Sequence, residues 1–167
     1  MRAWRMGLTL GLALGIAQAG CMLPAAAATT VNCTVSAGGI AFGIYNPLSA
    51  APNASTGTLR VTCNGSGSGS TNVTVNVSLS TGLSGNYTTR KMLSGSNALN
   101  YNIYWSAAYA QIMGDGSGGS FAGNAGPFTV FAGSSNYATG TMYGRIPASQ
   151  DVAPGVYADT IVVTVTY

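Results

Sequence analysis

Few side chains in this sequence are able to do covalent or acid–base chemistry. The acids are Asp115, Asp151 and Asp159, and there is no Glu and no His. The cations are Arg2, Arg5, Arg60, Arg90, Lys91 and Arg145. Glycoside hydrolysis by paired carboxylates needs two acids at one site, which three scattered Asp supply poorly. A His-based triad and a His metal site are excluded outright. Gripping nucleic acid takes several Lys or Arg against phosphates, so nucleic acid is not an expected partner. Charged residues are 5% of the 167-residue chain, against about 25% in an average globular protein. No enzymatic activity, no metal and no small-molecule cofactor are therefore expected. The remaining reactive groups are the thiols Cys21, Cys33 and Cys63.

The N-terminus decides which thiols and charges belong to the folded protein. Arg2 and Arg5 precede an apolar stretch over residues 6–17, with a looser extension to Leu23, and Pro24 then leads into Ala25-Ala26-Ala27-Ala28. This pattern is that of a secretory signal peptide, residues 1–28, ahead of a mature domain over residues 29–167. The clean apolar run falls short of the roughly 20 residues of a membrane span. A second small-residue site at Ala17-Gln18-Ala19 would instead leave Cys21 in the product. Cleavage after Ala28 leaves Arg60, Arg90, Lys91 and Arg145 against three Asp, a net charge of +1. It also leaves Cys33 and Cys63, which in an exported chain read as one disulfide, the alternative being two unpaired buried thiols.

The mature chain reads as strands and turns. Residues 71–80 (TNVTVNVSLS) alternate cleanly, with Val73, Val75, Val77 and Leu79 on one face and Thr74, Asn76 and Ser78 on the other. Further strands are expected over residues 31–35, 40–45, 58–64, 99–105, 127–132, 139–146 and 156–167, with a short one at 112–113. The GSGSGS run at 65–70 reads as a loop, and residues 107–111 as one helical turn. No stretch outside the leader carries helical apolar periodicity. Short strands with frequent turn signals point to an all-β antiparallel sandwich. In the last segment Ile161, Val163, Val165 and Tyr167 share one face, and alternation runs to the final residue. Such a strand is either an open sheet edge that attracts another chain or a strand paired on both sides by its own domain.

The other polar motifs read as structural. Asn32, Asn53, Asn64, Asn72, Asn76 and Asn86 begin N-x-S/T triplets, as chance produces in so Ser/Thr/Asn-rich a chain. Asp115 in GDGSGG has no second carboxylate nearby for calcium and reads as an Asp-Gly turn. Tyr101, Tyr104, Trp105 and Tyr109 read as core or edge packing rather than a sugar-stacking platform. Arg90 and Lys91 read as a solvated charge pair at a strand end.

Taken in order, several pieces of the chain resemble the spore coat protein U family, which includes Csu-type subunits of archaic chaperone–usher pili. They are FGIYNP (42–47), VTC (61–63), LSTGLSG (79–85), RKM (90–92), LNYNIY (99–104), GDG (114–116), YGRIPASQ (143–150) and GVYADT (155–160). The resemblance implies an incomplete immunoglobulin-like antiparallel β-sandwich, completed by a donor strand from a periplasmic chaperone and then from a neighbouring subunit. It implies an outer-membrane usher as a further partner and export through the periplasm to the cell surface, for adhesion and biofilm formation. It also implies Cys33–Cys63 as the family disulfide and structural roles for Tyr157 and Asp159. The acceptor groove would be walled by Ile161, Val163, Val165 and Tyr167. The segment left before Cys33 by cleavage after Ala28, residues 29–32, is short for a donor. A tip or minor adhesin subunit, or a non-polymerising secreted spore-coat-type protein, is the alternative expectation.

Overall fold

The computed structural model describes residues 28–167. The expected leader (Ala28 apart) and Cys21 lie outside the described residues. In chain order the strands are β1 (Thr30–Ala37), β2 (Asn53–Ser66), β3 (Ser70–Leu79), β4 (Lys91–Ser94), β5 (Asn97–Asn100), β6 (Asn102–Tyr104), β7 (Gly123–Phe131), β8 (Ser135–Ile146) and β9 (Val163–Thr166). They form a four-stranded sheet in the order β1-β2-β8-β6, a three-stranded sheet β7-β3-β9 and the hairpin β4-β5. Every ladder between these strands is antiparallel.

Two-residue alternation sets which side of each sheet is buried. Val73, Val75, Val77 and Leu79 of β3 meet Leu59, Val61 and Cys63 of β2 and Met142 and Ile146 of β8 in one apolar cluster. The two sheets therefore pack face to face as a sandwich. Each such side chain taken out of water contributes about 1.5–3 kcal/mol. On the outer faces the polar partners join across strands instead, as where Asn76 Nδ2 donates to Asn124 Oδ1 at 2.9 Å. Cys33 and Cys63 stand opposite one another in the β1–β2 ladder, and their disulfide ties the two strands together.

Four segments differ from the sequence reading. Residues 40–45 run without a ladder partner, held to β2 by side chains. Ser55 Oγ donates to the Ala41 carbonyl at 2.7 Å, and Asn53 Nδ2 reaches the carbonyls of Phe42 and Ile44 at 3.1 and 3.2 Å. Residues 99–105 divide into two strands that pair with different neighbours, β5 with β4 and β6 with β8. Residues 107–111 hold a single tight turn rather than a helical one, the Tyr109 amide donating to the Ser106 carbonyl at 3.1 Å and Tyr109 itself at φ 54°. In the last segment the ladder covers Val163–Thr166 alone; ahead of it, Leu93 and Ala158 exchange main-chain bonds of 2.9 and 3.1 Å.

The disulfide spans a sequence separation of 30 residues, and closing a loop of that size removes roughly 3–4 kcal/mol of unfolded-chain entropy. Reduction with dithiothreitol is expected to lower the urea midpoint accordingly while leaving the far-ultraviolet circular dichroism of the folded state β-type. An unchanged midpoint would show that the bond adds no stability.

Candidate functional site

β1 is the edge of the first sheet and β9 the edge of the second; they come close without pairing, and beside them opens an apolar groove. One wall is the segment from Ala37 to Phe42, and the other runs from Tyr157 to Val163. The floor is core: Leu79, Met92, Tyr101, Ile103 and Met142. This part of the groove has a volume of about 360 Å³. It adjoins a wider part of about 590 Å³, walled by Ile44, Tyr45, Val152 and Val156 and sharing Ile40, Phe42, Met92 and Tyr157 with the first.

The groove shows in the burial of the strands beside it. Val31 and Cys33 at the start of β1 are half-buried, whereas Val35 and Ala37 on the same face are exposed. Ile161, Val163 and Val165 alternate as half-buried residues with exposed Val162 and Thr164. Among the described residues, no strand pairs with the outer edge of β1 or of β9. Both rows of main-chain groups are left for water or for a further strand.

Each wall is built from local chemistry. Ile40 and Phe42 seat against two glycines on the inner face of the first sheet. A Cβ on Gly57 would come within 2.8 Å of Ile40, and one on Gly144 within 2.6 Å of Phe42. The opposite wall is fixed by Asp159. Its Oδ2 accepts from the Tyr101 hydroxyl at 2.7 Å, and its Oδ1 accepts from the amides of Leu83 and Thr160 at 2.9 and 2.7 Å. Gly82, at φ 65°, is where that carboxylate comes closest to the 3-10 turn Gly82–Ser84, and no side chain fits between them. The wall is then pinned to the end of β3, where Ser80 donates its amide to the Val162 carbonyl and accepts the Val162 amide on its hydroxyl, both at 2.9 Å.

Arg90 is not the solvated residue its sequence setting suggested. It is fully buried. Its Nε and one terminal nitrogen donate to the Ser80 carbonyl at 3.3 and 2.7 Å. That terminal nitrogen also donates to the Met113 carbonyl at 2.8 Å, and the other reaches Asn102 Oδ1 at 2.9 Å. The guanidinium thus ties the end of β3, β6 and the loop at Met113 together behind the groove. Burial lowers its pKa; Tyr101, Tyr87 and Asp159 act in the other direction. Lys91, its neighbour, is exposed as expected.

Of the residues assigned to the acceptor groove from the sequence, Ile161 and Val163 line it. Val165 packs against the core beyond its end, opposite Val77, and Tyr167 is 56% exposed and lines neither part. The wall over residues 37–42 was missed as a wall, although FGIYNP had drawn attention to part of it. The signal was an alternating apolar segment, Ile40, Phe42 and Ile44, rich in glycine on both sides. Asp115 caps a turn, accepting the Ser117 amide and hydroxyl at 2.8 and 2.7 Å. No three His, Cys, Asp or Glu side chains converge on a metal position among the described residues.

Two facing antiparallel sheets with an apolar groove beside their unpaired edge strands define an incomplete immunoglobulin-like β-sandwich. The chain belongs to the spore coat protein U domain family, whose model matches residues 20–164. A similar solved structure is the crystal structure of the CsuC–CsuE chaperone–tip adhesion subunit pre-assembly complex from archaic chaperone–usher Csu pili of Acinetobacter baumannii. The similarity has a TM-score of 0.53 at 22% identity, over 83% of this chain and 40% of that one. The chain thus spans well under half the length of that neighbour. No curated protein matches the chain significantly.

Arg90→Met is expected to unfold the chain at markedly lower urea, since each buried acceptor left unpaired costs about 1–3 kcal/mol. Arg90→Lys is expected to recover only part of the loss; full recovery would show that charge alone matters.

Tyr101 gives a pH test. Burial first, then the Asp159 hydrogen bond, raises its pKa well above the ordinary tyrosine value. Above pH about 10 the unfolded chain sheds this proton while the folded chain keeps it, so stability falls by about 1.4 kcal/mol per pH unit. Urea midpoints between pH 9 and 11 are expected to drop less steeply in Tyr101→Phe.

Proposed function

We propose that this chain is an exported structural subunit of a chaperone–usher type surface pilus, assembled by donor-strand complementation. The observation that carries this reading is the apolar groove between residues 37–42 and 157–163, with unpaired strand edges on both sides. A strand laid into it gains main-chain hydrogen bonds at the edges and buries alternate side chains on the core. The groove residues proposed to receive it are Ile161 and Val163 on one wall and Ile40 and Phe42 on the other, with Val165 supporting the far end. Tyr167 stands outside that set. The work of this site is pairing, not catalysis.

Family membership and the chaperone complex of the Acinetobacter neighbour support the partners implied: a periplasmic chaperone first, then a neighbouring subunit, with an outer-membrane usher between them. The route is through the periplasm to the cell surface, where the fibre would serve adhesion and biofilm formation. A tip or minor adhesin position is the second reading. It is favoured by Leu48, which is 92% exposed and lines neither part of the groove. Immunogold labelling separates the two, along the shaft for a shaft subunit and at fibre ends for a tip.

Val163→Arg places a charge in the groove, whereas Thr164→Arg places it on the outward face of the same strand. Val163→Arg is expected to abolish copurification with the pilus chaperone and Thr164→Arg to preserve it. Equal copurification of both variants, or retention of the chaperone after removal of residues 161–167, would overturn the groove assignment.

A further inference from the structure

A second concavity, of about 500 Å³, is bordered by Thr88, Thr89, Lys91, Asn100, Tyr104 and Pro147. Its composition is unlike that of the groove. The rim is hydroxyl, amide and ammonium, and the apolar surface is the rings of Tyr101, Tyr104 and Pro147. Lys91 and Asn100 stand directly opposite each other in the β4–β5 ladder, so their side chains project side by side. The side-chain polar groups of Thr89, Lys91, Asn100 and Tyr104 have no hydrogen-bond or ion-pair partner among the described residues. The Tyr104 ring is held in place edge-on to Tyr109 at 5.4 Å, and Arg145 lies over Tyr109 at 4.8 Å. No carboxylate lines the concavity.

We propose that this concavity is a binding site for an acidic saccharide. A sugar ring offers a C–H face that packs on tyrosine and proline, and hydroxyls that bond to Thr, Asn and Tyr ends. A carboxylate on the sugar would meet Lys91, with the Arg145 charge behind Tyr109 adding to the field. The volume lies within the range of about 300–1,000 Å³ of small-ligand sites. Tyr101 is the one residue that lines both this concavity and the groove. Saccharide binding and strand pairing therefore use separate surfaces, and a chain whose groove is filled keeps this site.

Isothermal titration of the purified full chain with trigalacturonic acid, 3′-sialyllactose and maltotriose tests the proposal. The first two stand for a uronate polymer and a sialic-acid-terminated glycan; maltotriose is the neutral control. Binding of either acidic sugar at least tenfold tighter than maltotriose is expected, and the tighter of the two names the source. Lys91→Gln is expected to erase the preference for acid, and Tyr104→Leu to weaken all binding at least tenfold. Near-ultraviolet circular dichroism identifies any variant that has lost its fold, in which case Asn100→Ala, on the exposed rim, replaces it. No binding of either acidic sugar, equal binding of maltotriose, or binding that survives both substitutions would overturn the proposal.

Discussion

The structure depends on one constraint: two sheets must cover a common core, and along one side the described strands do not reach across it. Leu79, Met92, Tyr101, Ile103 and Met142 form a buried floor, and above it Ile40, Phe42, Ile161 and Val163 are only half-buried on the walls of the groove. Apolar surface left in water in this way costs free energy in proportion to its area. The flanking strands also leave main-chain donors and acceptors without ladder partners. Both deficits are met by the same object, an extended segment with alternating apolar side chains. The proposed pairing rests on where the groove opens rather than on any reactive group.

Keeping a groove open requires its walls to be held without a strand between them. Side chains do this where a ladder is missing. Asn53 and Ser55 hold carbonyls of the 41–44 segment, Gly57 and Gly144 make room for Ile40 and Phe42, and Asp159 fixes the opposite wall through Tyr101 and two amides. Arg90 serves the same end from behind. It bonds to the Ser80 carbonyl, while the Ser80 amide and hydroxyl hold Val162. Removing a cation from water is costly, and here dipoles rather than a paired carboxylate offset most of that cost. The result is a fixed junction between the core and the second wall.

The shortage of charge fits this arrangement. Exposed strand edges are ordinarily guarded by charged side chains, lysine above all. Here β1 and β9 carry none: β1 is TVNCTVSA and β9 is VTVT. Of the charges in residues 29–167, Arg90 is buried and Asp159 is committed to the wall. Among the described residues Asp159 is the one charged group lining the groove, and its carboxylate is bonded into the wall, so little there repels an incoming chain or prevents unwanted pairing. That is consistent with a protein whose edge is covered by a partner from an early stage.

The alternation of residues 71–80 was enough to place β3 within one residue, because a half-buried strand must alternate whatever its neighbours. The bond between Cys33 and Cys63 was legible for a different reason, the count of two cysteines left once residues 1–28 are read as a leader. Other features were invisible in the sequence. Residues 40–45 alternate as well as many strands do, yet pairing depends on a neighbour, and the neighbouring position is the groove. The hairpin β4–β5 was hidden because its four-residue strands are too short to show a period. Arg90 looks like any surface arginine beside a lysine; its burial comes from three carbonyl-type acceptors brought together from residues 80, 102 and 113. The sequence by itself determined an all-β, nearly uncharged chain without Glu or His. Only the tertiary structure decided that residues 37–42 face residues 157–163 across a groove above the core, since a groove is a relation between elements and no single segment encodes it.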